Sequence, residues 1–124
     1  MTNPQIRLLL ALISIIFFGA HAPVHAQSQP ELNSAAAASA DKADQELTAT
    51  YQKFRALLKD DAQEQAAFDA AEQAWLAYRE KEAEFEASSD FGGSIYPLTV
   101  STAEQKLTED RIKFLKDMFK NGGP

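Results

Sequence analysis

The residues with chemical reach in this sequence are carboxylates, two arginines and a few aromatics. Glu80, Glu82, Glu84, Glu86 and Asp90 form an acidic run opposed only by Arg79 and Lys81. Paired carboxylates are the machinery of glycoside hydrolysis. Here they follow ordinary helical surface periodicity, and nothing sets two of them across a cleft. The run therefore reads as a solvated helix face, with a docking face for a basic protein as the functional alternative. Glu82 and Glu86 share one side of that helix with Ser89. Arg79 and Arg111 offer either an anion clamp or two structural forks, each bonding a carboxylate or a carbonyl; Asp44 is an available partner. Trp75 and Tyr78 are either a platform for a sugar or partner, or core. Helical spacing assigns them to the core, and Tyr51 with them.

Other chemistries are excluded by composition. The chain has 124 residues, no cysteine and two histidines, His21 and His25. Both histidines precede Ala26, where an export leader is expected to end. Arg7 supplies a positive start, Leu8 to Ala20 an apolar run, and Val24 and Ala26 the small residues of a cleavage site. The run of about 13 residues is short of the roughly 20 that span a bilayer. No cysteine follows it to carry a lipid, and no second apolar segment exists. Residues 1–26 are thus read as a signal peptide, and the remainder as exported to a bacterial periplasm or beyond. Cleavage there would remove one of the 12 basic residues and none of the 18 acidic ones, for a net charge of −7. Without His or Cys there is no Ser-His-Asp triad, no thiol nucleophile and no ordinary zinc or iron–sulfur site. An acidic chain is a poor ligand for nucleic acid. No metal, cofactor or catalytic residue is implied.

The elements that position these groups read as helices. Residues 27–40 are polar and Ala-rich and read as a flexible tether. Residues 41–121 read as one domain. Leu47, Tyr51, Phe54 and Leu58 form a helical stripe over about 42–59. Lys59-Asp60-Asp61 breaks the pattern, with Asp61 as N-cap and Glu64 three residues on. A second helix is expected over about 62–87, with Phe68, Ala71, Trp75, Tyr78 and Phe85 on its apolar face. Residues 88–100 hold the turn chemistry: Gly92-Gly93 allows positive φ, and Pro97 blocks helix continuation. A third helix is expected from Thr102, with Ser101 to Glu104 as its capping box and Leu107, Arg111, Phe114 and Met118 along its stripe. Asn121-Gly122-Gly123 marks its stop. The expected fold is all-α, a small antiparallel three-helix bundle with a long Gly-containing loop between helices 2 and 3. Of the loop's large side chains, Phe91 and Leu98 are expected to fold back, leaving Ser94 and Tyr96 exposed.

Four segments in order carry a family resemblance. They are the stretch from Ala43-Asp44 through Leu47-Thr48 to Tyr51, then Gln73 through Trp75 to Tyr78-Arg79, then Gly92-Gly93-Ser94, then Leu107-Thr108 to Arg111. Together they resemble the LprI-like family, over about residues 43 to 115. The resemblance implies an exported helical domain, and its namesake is described as an inhibitor of lysozyme. Relatives usually carry a cysteine a few residues after the Tyr-Arg pair and another before the Leu-Thr segment. Those positions hold Ala83 and Ala103 here, so a disulfide is lost as a pair.

The resulting expectation is a non-catalytic binding protein for a basic, lysozyme-type glycosidase, engaging it through the 88–98 loop with Ser94, Tyr96, Glu82 and Glu86. The alternative is a structural or envelope-stress module that binds another envelope protein by helix packing, or pairs with itself as a homodimer.

Overall fold

The computed structural model describes residues 26–123, so the leader assignment lies outside the described residues. Three long helices form the domain: α1 Gln29–Leu57, α2 Ala62–Glu86 and α3 Tyr96–Lys120. They run up, down and up, so α1 and α3 are parallel and α2 is antiparallel to both. The α1–α3 seam is the most extensive, and α2 rests mainly on α3.

The first correction concerns α1, which begins thirteen residues before the expected start at 42. The Ala-rich stretch is helix rather than tether. Alanine has the highest helix propensity, and Pro30 is harmless in a first turn. Glu31 closes the end by accepting from the Ser28 N–H at 2.7 Å and from its hydroxyl at 3.0 Å. Ala40 and Ala43 are buried.

The α1–α2 break falls where the sequence places it. The Asp61 carboxylate accepts from the N–H groups of Gln63 and Glu64 at 3.0 and 2.8 Å. The start of α3 differs from expectation. It begins at Tyr96, with Pro97 in its first turn, where proline's missing N–H costs nothing. Proline here opens a helix instead of forbidding one. The hydroxyl of Thr102 donates to the Leu98 carbonyl at 2.8 Å, inside the helix and not as a cap. The connection is correspondingly short: a 3-10 turn at Ser88–Asp90, then Phe91 to Ile95. Gly92 takes φ +81°, a left-handed conformation that favours glycine. At its far end α3 stops before Gly122 and Gly123, both at positive φ, as expected from sequence.

The core lies at the end away from this loop. Leu47 and Phe54 of α1, Phe68 of α2, and Ile112 and Leu115 of α3 are buried together. Phe54 stacks on Phe119 with centroids 4.2 Å apart, and Tyr51 on Phe68 at 5.0 Å. The loop end is packed by small residues instead: Ala83 of α2, Ala87 just after it and Ala103 of α3 are all buried.

The register of α2 is the second correction. Phe68 is buried, but Tyr78 is 52% and Phe85 72% exposed, and Trp75 is only half-buried. Ala71 is exposed. The inward face runs through Phe68, Glu72 and Ala83, with Trp75 and Arg79 half-buried beside it. Glu72 and Arg79 go inward because the neighbouring helices supply their partners, which is the condition for burying charge.

Candidate interaction surface

The motif residues converge on the inter-helix seams. Arg79 of α2 donates through Nη1 to the carboxylate of Asp44 on α1 and to the hydroxyl of Thr108 on α3, the latter at 2.9 Å. One guanidinium therefore ties all three helices. Thr108 is among the most buried side chains. Two turns from Arg79 toward the α2 N-terminus, Glu72 accepts from Nε and Nη2 of Arg111 at 3.1 and 2.9 Å. Trp75 lies between the two arginines, each guanidinium carbon 5.6 Å from its ring centroid. Arg111 also faces the Phe114 ring at 5.5 Å. The structural reading of the arginines is thus the one the geometry supports. Trp75 is half-buried: it packs against the edge of the apolar core, as its spacing predicts, and also lies between the two guanidinium groups. Sequence reasoning missed Glu72, which is 6% exposed and looked like one more surface acid.

A second cluster joins α1 to α2. Asp69 accepts from Arg55 Nε at 2.7 Å, from Arg55 Nη2 at 3.0 Å and from the Tyr51 hydroxyl. These bonds, the Arg55 fork first, hold the Asp69 carboxyl below its usual range. Burial, reinforced by Asp69, pushes the Tyr51 hydroxyl up. Tyr51, Asp69 and Asp44 border a groove of about 410 Å³ between α1 and α2.

The remaining motif is the loop, and it sits at the alanine-packed end. Asn33 of α1 donates to the Ser94 carbonyl at 3.0 Å, pinning the loop to the first helix. The Thr99 hydroxyl donates to Asp90 at 2.7 Å, and the Gly93 N–H to the Asp90 carbonyl at 2.9 Å. A Cβ at Gly93 would meet that carbonyl at 3.1 Å. Ser94 is exposed and Tyr96 half-buried. Contrary to expectation, Phe91 does not fold back: it is 81% exposed, edge-on to Tyr96 with centroids 5.6 Å apart. Leu98 is half-buried. Lys81 pairs with Glu84 at 3.0 Å and approaches Glu80 at 3.7 Å. Glu82 and Glu86 form no ion pair among the described residues, and Glu86 is exposed. The loop end therefore presents phenylalanines beside uncompensated carboxylates.

These features define a class: a three-helix domain whose motif side chains lock the bundle, with a short aromatic loop at one end. The model of a family described as lysozyme inhibitor LprI matches residues 20–115, and the chain belongs to that family. No curated protein and no solved structure shows significant similarity to it. Among the described residues no helix is long and apolar enough to cross a membrane, and no cluster of three or more acidic residues is arranged to hold a metal ion.

Proposed function

We propose that this protein is an exported, non-catalytic binding protein that engages a basic lysozyme-type glycosidase with the loop end of its bundle. The observation that carries this reading is the exposure of Phe91, on a loop braced by Asn33 and Thr99, and of Phe85, next to Glu82 and Glu86 in the last turns of α2. Family membership supports the partner class. Apolar anchors ringed by charge suit a protein interface, and a braced loop pays little ordering entropy on binding. The carboxylates speed encounter with a positively charged enzyme. Inhibition of this kind needs no chemistry from the inhibitor, only occupation of the substrate cleft. Ser94 and Tyr96 belong to the same surface, with Phe91 as its most prominent side chain.

The test is titration of a basic lysozyme with the purified protein at low and moderate salt. Stoichiometric, salt-sensitive loss of activity is expected. Full activity at saturating protein would sink the reading, and would leave helix packing against an envelope protein as the role.

A further inference from the structure

The end of α3 far from the loop closes in a glycine cap. Gly123 donates its N–H to the Met118 carbonyl at 3.2 Å and Gly122 to the Phe119 carbonyl at 3.4 Å, the two bonds of a Schellman motif. Gly122 stands at φ +107° and Gly123 at +85°, in the left-handed region that only glycine enters readily. The cap thus demands glycine directly after its C-cap residue, and that residue is Asn121. An Asn-Gly pair results, with both residues exposed.

Such a pair has a chemistry of its own. The main-chain nitrogen of Gly122, on losing its proton, is a nucleophile that reaches Cγ of Asn121 through a five-membered ring. A bond forms from that nitrogen to Cγ, the bond from Cγ to Nδ2 breaks, and Nδ2 takes up a proton and leaves as ammonia. Water then opens the cyclic imide on one side or the other. Cleavage between Cγ and nitrogen leaves an ordinary aspartate. Cleavage between the main-chain carbonyl carbon and nitrogen leaves an isoaspartate, with the chain rerouted through the side chain.

The local structure leaves this path open. Gly122 has no Cβ to shield its nitrogen, and a Cβ built there would meet nothing within 4 Å, so solvent reaches the bond. Its N–H is held by one bond of 3.4 Å, beyond the usual range for N–H···O. Asn121 lies at φ −91° and ψ 11°, and turning ψ to bring nitrogen against Cγ breaks the two glycine bonds and none in the body of α3. Asn33, the other asparagine among the described residues, is the opposite case. It sits inside α1, followed by Ser34. Its Oδ1 accepts from Gln29 Nε2 at 2.8 Å and its Nδ2 donates to the Ser94 carbonyl at 3.0 Å. The same reaction there would have to unwind the helix.

We infer that Asn121 is a site of spontaneous covalent modification, converted through a cyclic imide to aspartate and isoaspartate, and that the products loosen the end of α3. Either product adds a negative charge at a helix C-terminus, where the macrodipole opposes it. Isoaspartate also inserts a methylene into the main chain ahead of Gly122, taking both glycine N–H groups out of register with their carbonyls. Those carbonyls belong to Met118 and Phe119, which pack against the core, Phe119 stacked on Phe54.

The experiment ages the purified protein in mildly alkaline buffer. Fragments from acid digestion are followed by mass spectrometry, with enzymatic methylation of isoaspartate as a second readout. Progressive conversion at Asn121 is expected, with Asn33 unchanged. Asn121→Gln, whose longer side chain would need a six-membered ring, should not convert. Asn121→Asp reproduces one product and should lower the folding equilibrium constant about two- to fivefold, read as a lower urea midpoint. A short peptide with the sequence of residues 118–123 gives the unrestrained rate. An Asn121 that stays intact while the peptide converts would overturn the inference, because the cap then locks the site. Equal conversion at Asn33 and Asn121 would also overturn it, assigning the reaction to unfolded chain. An aged, converted protein with an unchanged urea midpoint would overturn the loosening of α3.

Discussion

Arg111 directs two of its nitrogens, Nε and Nη2, at one oxygen of Glu72, and the pair is nearly withdrawn from solvent, with side chains 13% and 8% exposed. A pair this buried contributes little net stability compared with apolar residues of the same shape, yet breaking it is costly, because the surviving charge is stranded. Glu72→Ala should therefore destabilise by about 3 kcal/mol, read as a shifted midpoint in urea. Replacing both partners, Glu72→Leu with Arg111→Met, should recover most of that loss. A double variant no more stable than the single one would mean that the pair carries the seam by itself.

Glu104 predicts an unusual pH response. Burial, with Asp44, Glu80 and Asp41 nearby, raises its pKa above the ordinary carboxylate value; Arg79 opposes this. A raised folded pKa means that the folded state binds the proton more tightly. Its contribution to stability is complete below the unfolded pKa of about 4.3 and is lost as pH rises through the folded value. Glu104→Gln should consequently raise the thermal midpoint at pH 7, with the gain vanishing near pH 4. A gain of equal size at both pH values would rule out titration of this carboxyl.

Asp69, Glu46 and Glu31 titrate in the opposite sense. Their pKa values are lowered, by the Arg55 fork, by Lys116 and by the Ser28 N–H respectively. Stability from these groups is present above their unfolded pKa values of about 4 and is lost as pH falls through the lower folded values. Asp69→Asn should remove part of the acid sensitivity, seen as a shallower loss of helical signal between about pH 4 and pH 2.

Ala83 and Ala103 are both buried at the loop end. If they occupy the positions of the missing family cysteines, Ala83→Cys with Ala103→Cys should close a bridge when their Cα atoms lie within about 7 Å. Such a bridge should oxidise without a catalyst and add about 2–4 kcal/mol, measured by melts with and without reductant. A pair that stays reduced in air would show that the two positions do not face each other.

At the proposed interface, association and retention should separate. Glu82→Lys with Glu86→Lys should slow association with a basic lysozyme and flatten its salt dependence, leaving dissociation nearly unchanged. Phe91→Ala should speed dissociation, with Tyr96→Ala acting in the same direction. Its 81% exposure means that the Phe91 change should leave the melting temperature unmoved. If both variants bind like the parent, the contact surface lies elsewhere.

The helices, the Asp61 break and the Gly122-Gly123 stop were legible because each rests on a local rule of periodicity or capping. The misjudged features depended on the rest of the fold. Trp75, Tyr78 and Phe85 fit an apolar stripe on α2, but the inward face was taken by Glu72 and Arg79, whose partners sit on other helices. No spacing within α2 reveals that. Trp75→Ala should accordingly cost less than loss of a core aromatic, about 2 kcal/mol rather than 3–5. Pro97 has two meanings in a sequence, terminator or first-turn residue, and the structure takes the second, with α3 starting at Tyr96. Hydrophobicity alone points Phe91 inward, whereas in the structure it stands exposed, edge-on to Tyr96.

The extensive α1–α3 seam joins the two ends of the domain's chain. Its Glu46–Lys116 bond spans 70 residues of sequence, and the Asn33–Ser94 bond from α1 to the loop before α3 spans 61. Helical bundles usually fold fast because their contacts are local; this one must close a long loop before its largest interface forms. A chain made or delivered N-terminus first presents α1 and α2 while α3 is still missing. During that interval α1 has only its slight contact with α2, and the alanines and phenylalanines meant for α3 face solvent. Folding speed should then be limited by arrival of the C-terminal helix, and truncation before Ile112 should leave a collapsed, protease-sensitive chain instead of a smaller bundle.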